Sequence, residues 1–400
     1  MKPIIKALLP IAVALLSACA STPEENEPAE LTDFVIERKL DRLWAANIGQ
    51  GQGKGLYQLR PVVEGDTLYI ASADGLLQAR DALSGKLRWQ RKLAVTISGG
   101  VGVDDERLYL GTTEGLVLAL DQQGAELWRA EVSGEVLAPP VSNEDIVVAQ
   151  SYDGQLIAFD AATGEKRWTY SASVPRLTLR GTSTPILEGQ FVFAGLANGR
   201  MVALDQKSGE LRWEQRVSVA KGSTEIERLS DVDGSLLYDS GVLYAAGYQG
   251  KLIAVDIRSG RRLWERDLSS HAGPVEGYGN VYAVDAEGSI HAFEKNGQGV
   301  IWAQTILARR KLIEPAILSG SLVTGDFEGY LHFVSQVDGH LVSRVRVDES
   351  GLRAPMLVIE DRLYVYSNAG RLVAYSFDRD GSGSGSGSAK RRPYGPKQAR

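Results

Sequence analysis

Apolar runs of about five residues recur along most of this chain, each broken by a tight polar turn. The stretch Asp66-Thr67-Leu68-Tyr69-Ile70-Ala71-Ser72 is rich in β-branched and aromatic residues and is the length of one strand. Asp74-Gly75 follows, and a two-residue turn of this kind favours a hairpin because glycine accepts a positive φ. Leu76 to Arg80 returns as the next strand, Ser84-Gly85 turns again, and Lys86 to Leu93 makes an outer strand carrying Trp89. With Pro61-Val62-Val63 as the innermost strand, the pattern predicts a four-stranded antiparallel meander.

The meander repeats. A turn glycine stands at Gly75, Gly115, Gly154, Gly199, Gly250, Gly288, Gly329 and Gly370, a period of about 40 residues. A tryptophan closes the same phrase at Trp89, Trp128, Trp168, Trp213, Trp264 and Trp302, while Trp44 stands alone near the start. Strand-like units of this length predict an all-β fold, an eight-bladed β-propeller of four-stranded antiparallel blades. The seventh unit has Phe333, Ser335 and Ser343 where Ala, Asp and Trp are expected, and the eighth stops after Phe377 without its outer strand. The orphan phrase Leu40-Asp41-Arg42-Leu43-Trp44 supplies that strand, so the N-terminal strand closes the ring and leaves no open sheet edge.

The repeated residues read as architecture. Small Ala79, Ala119, Ala158, Ala203, Ala254, Ala292 and Ala374 let blades approach, and Asp81, Asp121, Asp160, Asp205 and Asp256 can accept turn N–H groups. The Trp rings bury large area between blades. A catalytic residue has no reason to recur in six blades.

The ends differ from the repeats. Residues 1–18 have Lys2 and Lys6 before the apolar stretch Ala7 to Leu16, as a secretory signal does. Leu16-Ser17-Ala18-Cys19 resembles a bacterial lipobox, which implies cleavage before Cys19 and lipidation of its thiol. Cys19 is the only cysteine, so no internal disulfide can form. Ala20 after it suggests sorting to the outer membrane. Residues 19–39 are expected to be a lipidated disordered tether, with the propeller spanning 40–378. Residues 379–400, four Gly-Ser pairs and a basic tail, are expected to be an appended linker. The formal net charge is -6 although that tail is basic, and no basic stripe marks the body, which argues against nucleic acid.

Candidate chemistry is sparse. Gly49-Gln50-Gly51-Gln52-Gly53-Lys54-Gly55 lacks the spacing and following helix of a phosphate cradle and is expected to be a flexible lead-in loop. His291 and His332 hold equivalent positions in neighbouring blades, with no carboxylate or cysteine expected in register to make a metal site. No cofactor is expected, and no catalytic or metal residues are proposed.

Function is expected where a unit departs from its period. The longest insertions follow Trp168 and Trp213. One holds Leu177, Leu179 and Arg180, the other the paired acids Asp231 and Asp233. Adjacent units place them side by side, either as salt-bridged loop packing or as a partner-binding patch with apolar anchors, an arginine and carboxylates.

The Ala-x-Asp-x-x-(Thr/Ser)-Gly-x-x-x-Trp phrase is similar to that of eight-bladed propellers of the pyrroloquinoline quinone dehydrogenase type. With the lipobox, Leu177-Thr178-Leu179-Arg180-Gly181 and Gly222 to Asp233, residues 1 to about 378 resemble the lipoprotein subunits of the β-barrel assembly machinery of Gram-negative outer membranes. That resemblance implies a non-enzymatic scaffold, lipid-anchored on the periplasmic face of the outer membrane. It implies docking on a POTRA domain of the barrel subunit, BamA, through Leu177, Leu179, Arg180, Asp231 and Asp233. Unfolded outer-membrane protein clients are further candidate partners. A quinone-dependent dehydrogenase is the alternative, though those enzymes carry adjacent cysteines and this chain has one. A periplasmic ligand-sensing propeller is a third reading.

Overall fold

The seven tryptophans hold the molecule together by one repeated contact. Nε1 of Trp44, Trp89, Trp128, Trp168, Trp213, Trp264 and Trp302 donates to the carbonyl of Ala82, Gln122, Ala161, Gln206, Ile257, Lys295 and Gln336, at 2.8–3.1 Å. Each acceptor lies in the turn between the third and fourth strands of the next sheet, so every indole ties one blade to its neighbour. The rings also tilt against aromatic residues of the second strand, as Trp89 does on Tyr69 with centroids 6.1 Å apart. The computed structural model describes residues 27–175, 177–179, 181–218, 224 and 229–377.

Among the described residues the regular structure is eight four-stranded antiparallel sheets. Blades one to seven run Val62–Lys92, Ile97–Glu131, Val141–Ser171, Ile186–Arg216, Leu237–Asp267, Val275–Gln304 and Ala316–Arg346. Each is built in chain order from inner to outer strand. Blade eight combines Leu357–Ile359, Arg362–Tyr366 and Arg371–Phe377 with the N-terminal strand Leu40–Asn47 on its outer edge. Trp44 pairs with Ala374 and Ala46 with Leu372, so the first strand closes the ring as the orphan tryptophan phrase predicts.

Each repeat position now has a physical role. Ala79 faces Trp89 across the third and fourth strands, and a bulge follows at once, because Arg80 pairs with Leu87. The same Ala–Trp pair and bulge recur in blades two to six. The extra residue re-aims the strand end so that the indole reaches sideways to the next blade. Asp81 accepts from the Ser84 hydroxyl at 2.7 Å, the Ser84 amide at 2.8 Å and the Arg88 guanidinium at 2.9 Å, and these bonds hold its carboxyl down at about 2. The recurring aspartates thus fasten turns.

Blade seven breaks the rule for a topological reason. Its tryptophan would need the turn between the third and fourth strands of blade eight. Blade eight has no such turn, because the chain leaves at Phe377 and re-enters at Leu40. Ser343 occupies the tryptophan position, facing Phe333 where other blades have alanine. Phe333 meets Phe377 edge-on at 5.3 Å, and the Arg38 guanidinium lies 3.6 Å over the Phe377 ring. The large and small partners have been exchanged.

Two expectations need correction. The Gly49–Gly55 stretch is no flexible lead-in loop. Ile48 and Gln52 are fully buried, and the Gln52 amide makes a two-way clasp with the Leu59 backbone, 2.7 Å each way. The glycines are there for closeness: a Cβ on Gly51 would sit 2.3 Å from Gly370 N. Nor is the segment before Leu40 free throughout. Ala29 N donates to Ala308 O at 2.9 Å, and Glu37 N to Val342 O at 3.0 Å, which ties residues 27–39 along blade seven. Low apolar content predicts disorder only when the backbone finds no partner, and here arginines supply one. Cys19, with residues 1–26 and 378–400, lies outside the described residues.

Candidate partner-binding surface

The connections from each outer strand to the next blade share one face with the glycine turns between the second and third strands: a Cβ on Gly75 would lie 2.2 Å from Leu93 O. The two insertions are such connections, so they emerge on this face. They follow Ser171 and Arg216 and precede Ile186 and Leu237.

The structure brings the two loops into contact. Leu179 N donates to Asp231 Oδ2 at 2.5 Å. A Cβ on Gly181 would lie 2.9 Å from Asp233 Cγ, so the glycine makes room for that carboxyl. Thr178 Oγ1 pairs with the Tyr152 hydroxyl at 2.8 Å, which fixes the first loop to the Asp-Gly turn of blade three. Leu177 projects outward and is 43% exposed, and Leu179 is half-buried. Arg180 lies outside the described residues, as do 219–223 and 225–228 of the second loop.

The acids are inner parts of this surface. Asp231 is only 1% exposed, and burial pushes its carboxyl up to about 6 against the pull of the Leu179 N–H. Asp233 is half-buried, and desolvation, followed by the Asp231 charge, raises it well above an ordinary aspartate. Asp231 therefore braces Leu179 from beneath, and the outward apolar contact falls to Leu177.

Toward the axis of the same face lies a cavity of about 630 Å³, lined by His271, Lys311, Glu314, Phe327 and Arg353 among others. Glu314 Oε2 accepts from Ser235 N and Gly273 N, each at 3.2 Å, so it is committed to holding the loop after Asp233. The repeat phrase gave no sign of this cavity, since its residues come from irregular connections.

The paired histidines have partners that spacing did not suggest. His291 Nε2 lies 2.8 Å from Asp285 Oδ2, and His332 Nε2 lies 2.9 Å from Asp326 Oδ2. The expectation of no carboxylate in register is corrected: each aspartate starts the turn that the histidine strand leaves, six residues earlier. Among the described residues no three His, Cys, Asp or Glu side chains gather as a metal site requires.

The profile of the family described as Outer membrane protein assembly factor BamB matches residues 37–98, 73–304 and 286–383. The chain belongs to the BamB family. BamB of Pseudomonas aeruginosa is 44% identical over 371 residues, covering 92% of this chain and 98% of that protein. BamB of Escherichia coli K12 is 34% identical over 390 residues, covering 94% and 99%. The crystal structure of BamB from Moraxella catarrhalis superposes with a TM-score of 0.78 at 30% identity, over 85% of this chain and all of that one. A quinohemoprotein alcohol dehydrogenase from Comamonas testosteroni superposes with a TM-score of 0.68 at 14% identity, covering 90% and 79%, a likeness of fold alone. BamB membership thus covers the whole ring, including both insertions.

Proposed function

We propose that this chain is a non-enzymatic scaffold of the outer-membrane β-barrel assembly machinery. It is held on the periplasmic face of the outer membrane by lipid on Cys19 and docks on a POTRA domain of the barrel subunit, BamA. Membership of a family described as outer-membrane protein assembly factors supports the scaffold role. The single observation that carries the docking surface is the bond from Leu179 N to Asp231 Oδ2, which joins two insertions from neighbouring connections into one patch.

Within that patch Leu177 and Leu179 are the apolar anchors and Arg180 is the charged one, able to grip a carboxylate or carbonyls with two donors. Asp231 and Asp233 act from beneath, as positioning residues. Unfolded client proteins are candidate secondary partners.

Co-purification tests the reading. The tagged lipoprotein, extracted from outer membranes in mild detergent, is expected to bring the barrel subunit with it. Leu177→Ser with Leu179→Ser should lose that subunit while the propeller melts unchanged. Retention of the subunit by this variant would place the docking surface elsewhere.

A further inference from the structure

Blade seven lacks its tryptophan and instead carries an arginine-rich edge, and that edge grips the chain's own N-terminal segment. Arg310 Nη1 donates to Ala29 O at 2.9 Å, Arg344 Nη1 to Thr32 O at 3.0 Å, and Arg309 Nε to Glu27 O at 2.7 Å. Arg38 Nη1 reaches Ser319 O at 2.8 Å. Two side chains of the segment add apolar contact: Leu31 packs against the core of blades six and seven, and Phe34 lies 4.9 Å beneath the Arg344 guanidinium.

The gripping arginines are held in place from behind. Arg310, 3% exposed, donates through Nε to Asp326 Oδ2 at 2.7 Å and also pairs with Glu328. Asp326 binds His332 Nε2 at 2.9 Å, and Arg344 Nε donates to His332 Nδ1 at 3.2 Å. A ring nitrogen that accepts from arginine carries no proton, so His332 is neutral and donates through Nε2 to Asp326. One buried aspartate and one buried histidine thus preset two guanidinium groups, which spend their remaining donors on backbone carbonyls.

The path of the segment has a direction. Glu27 and Ala29 lie at the connection between blades six and seven, where Arg309 N also bonds to Glu287 O beside the Gly288 turn. That is the face carrying both insertions. Glu37 and Arg38 lie at the opposite face, beside His340 and the Ser319 turn. The segment therefore crosses the outer side of blade seven from one face to the other.

We propose that residues 27–39 are a strap docked on blade seven, which shortens the lipid leash and turns the insertion-bearing face toward the membrane anchor. This rests on the lipidation of Cys19 proposed above. With the strap docked, eight steps separate Cys19 from Glu27, a reach of at most ~26–29 Å; released back to Leu40, the 21 steps would reach ~70–75 Å. The anchor and the candidate docking patch then leave the propeller on the same side.

The test uses the mature lipoprotein in phosphatidylcholine vesicles that carry a headgroup quencher. With Cys19 acylated, an introduced cysteine is the sole free thiol. Lys54→Cys reports the insertion-bearing face and Lys86→Cys the opposite one, at the same side of the ring. The Lys54 dye is expected to be quenched at least twofold more than the Lys86 dye. In a Leu31→Ser, Phe34→Ser strap variant this difference should vanish and both signals weaken. Equal quenching at the two sites, or a difference that the strap variant preserves, would overturn the proposal. Amide exchange separates it from the anchoring reading: on unlipidated chain the Ala29 and Glu37 amides should exchange at least tenfold slower than in the strap variant. Equal rates there sink the strap, whereas protected amides in a chain whose Cys19 proves by mass spectrometry to be unmodified sink only the anchor.

Discussion

Asp231 and the tryptophans show how single residues carry different kinds of information. The Asp231 carboxyl, raised to about 6 by burial, binds its proton more tightly in the folded chain than in the unfolded one. The sign follows: its contribution is full below about pH 4 and is lost as pH rises through about 6. Asp231→Asn keeps an acceptor for Leu179 N and removes that titration. We expect the variant to be more stable than the parent by roughly 1–3 kcal/mol at pH 7, with the gap closing at pH 4. Denaturant melts at both pH values check it, and a gap that does not close with pH would rule out the assignment. Trp128 carries the opposite message, since its ring bridges Tyr109 and Phe159 from two blades and donates to Ala161 O. Trp128→Ala should cost about 3 kcal/mol, and Trp128→Phe about 1 kcal/mol if the indole bond is the main loss. Similar melting of the two variants would show that packing plays no larger part than the hydrogen bond.

At the level of elements, the strands were legible and the irregular segments were not. Alternating apolar runs, turn glycines and the Ala–Trp spacing each have a local cause, so the pattern in the chain maps onto the sheets. Closure by Leu40–Asn47 was readable because Trp44 had no blade of its own. The docking of residues 27–39 was hidden, because arginine side chains hold much of it through backbone carbonyls, and Leu31 and Phe34 alone make no apolar period in the strap. A clue did exist: Arg309-Arg310 stands in the connection leading into the one blade without a tryptophan. The two insertions were visible as breaks in period, whereas the burial of Asp231 depends on a loop 52 residues away in sequence. Truncation tests the two N-terminal elements separately. Loss of residues 20–39 removes the strap and should lower the melting temperature by a few degrees, since its contacts are peripheral. Loss of residues 20–47 also opens blade eight and exposes the edge of Arg371–Phe377, so it should yield aggregated or unfolded protein. If the longer truncation melts like the shorter, ring closure does not depend on the first strand.

The whole molecule is a ring with unequal faces. One face gathers both insertions, the axial cavity and the Glu27 end of the N-terminal segment, while the other presents tight turns fastened by aspartate. Blade seven loses its tryptophan where the chain closes, and its substitute contacts hold residues 27–39 instead. The scaffold role turns on whether the paired insertions bind the barrel subunit. Titration of purified propeller, residues 20–378, against the soluble POTRA domains of BamA tests it most directly. Arg180→Ala, and separately Leu177→Ser with Leu179→Ser, should each weaken binding roughly thirtyfold, about 2 kcal/mol, with melting temperatures unchanged. Lys86→Ala on the opposite face should bind as the parent does. Parental affinity in both loop variants, or lost affinity only where the fold is lost, would contradict the account.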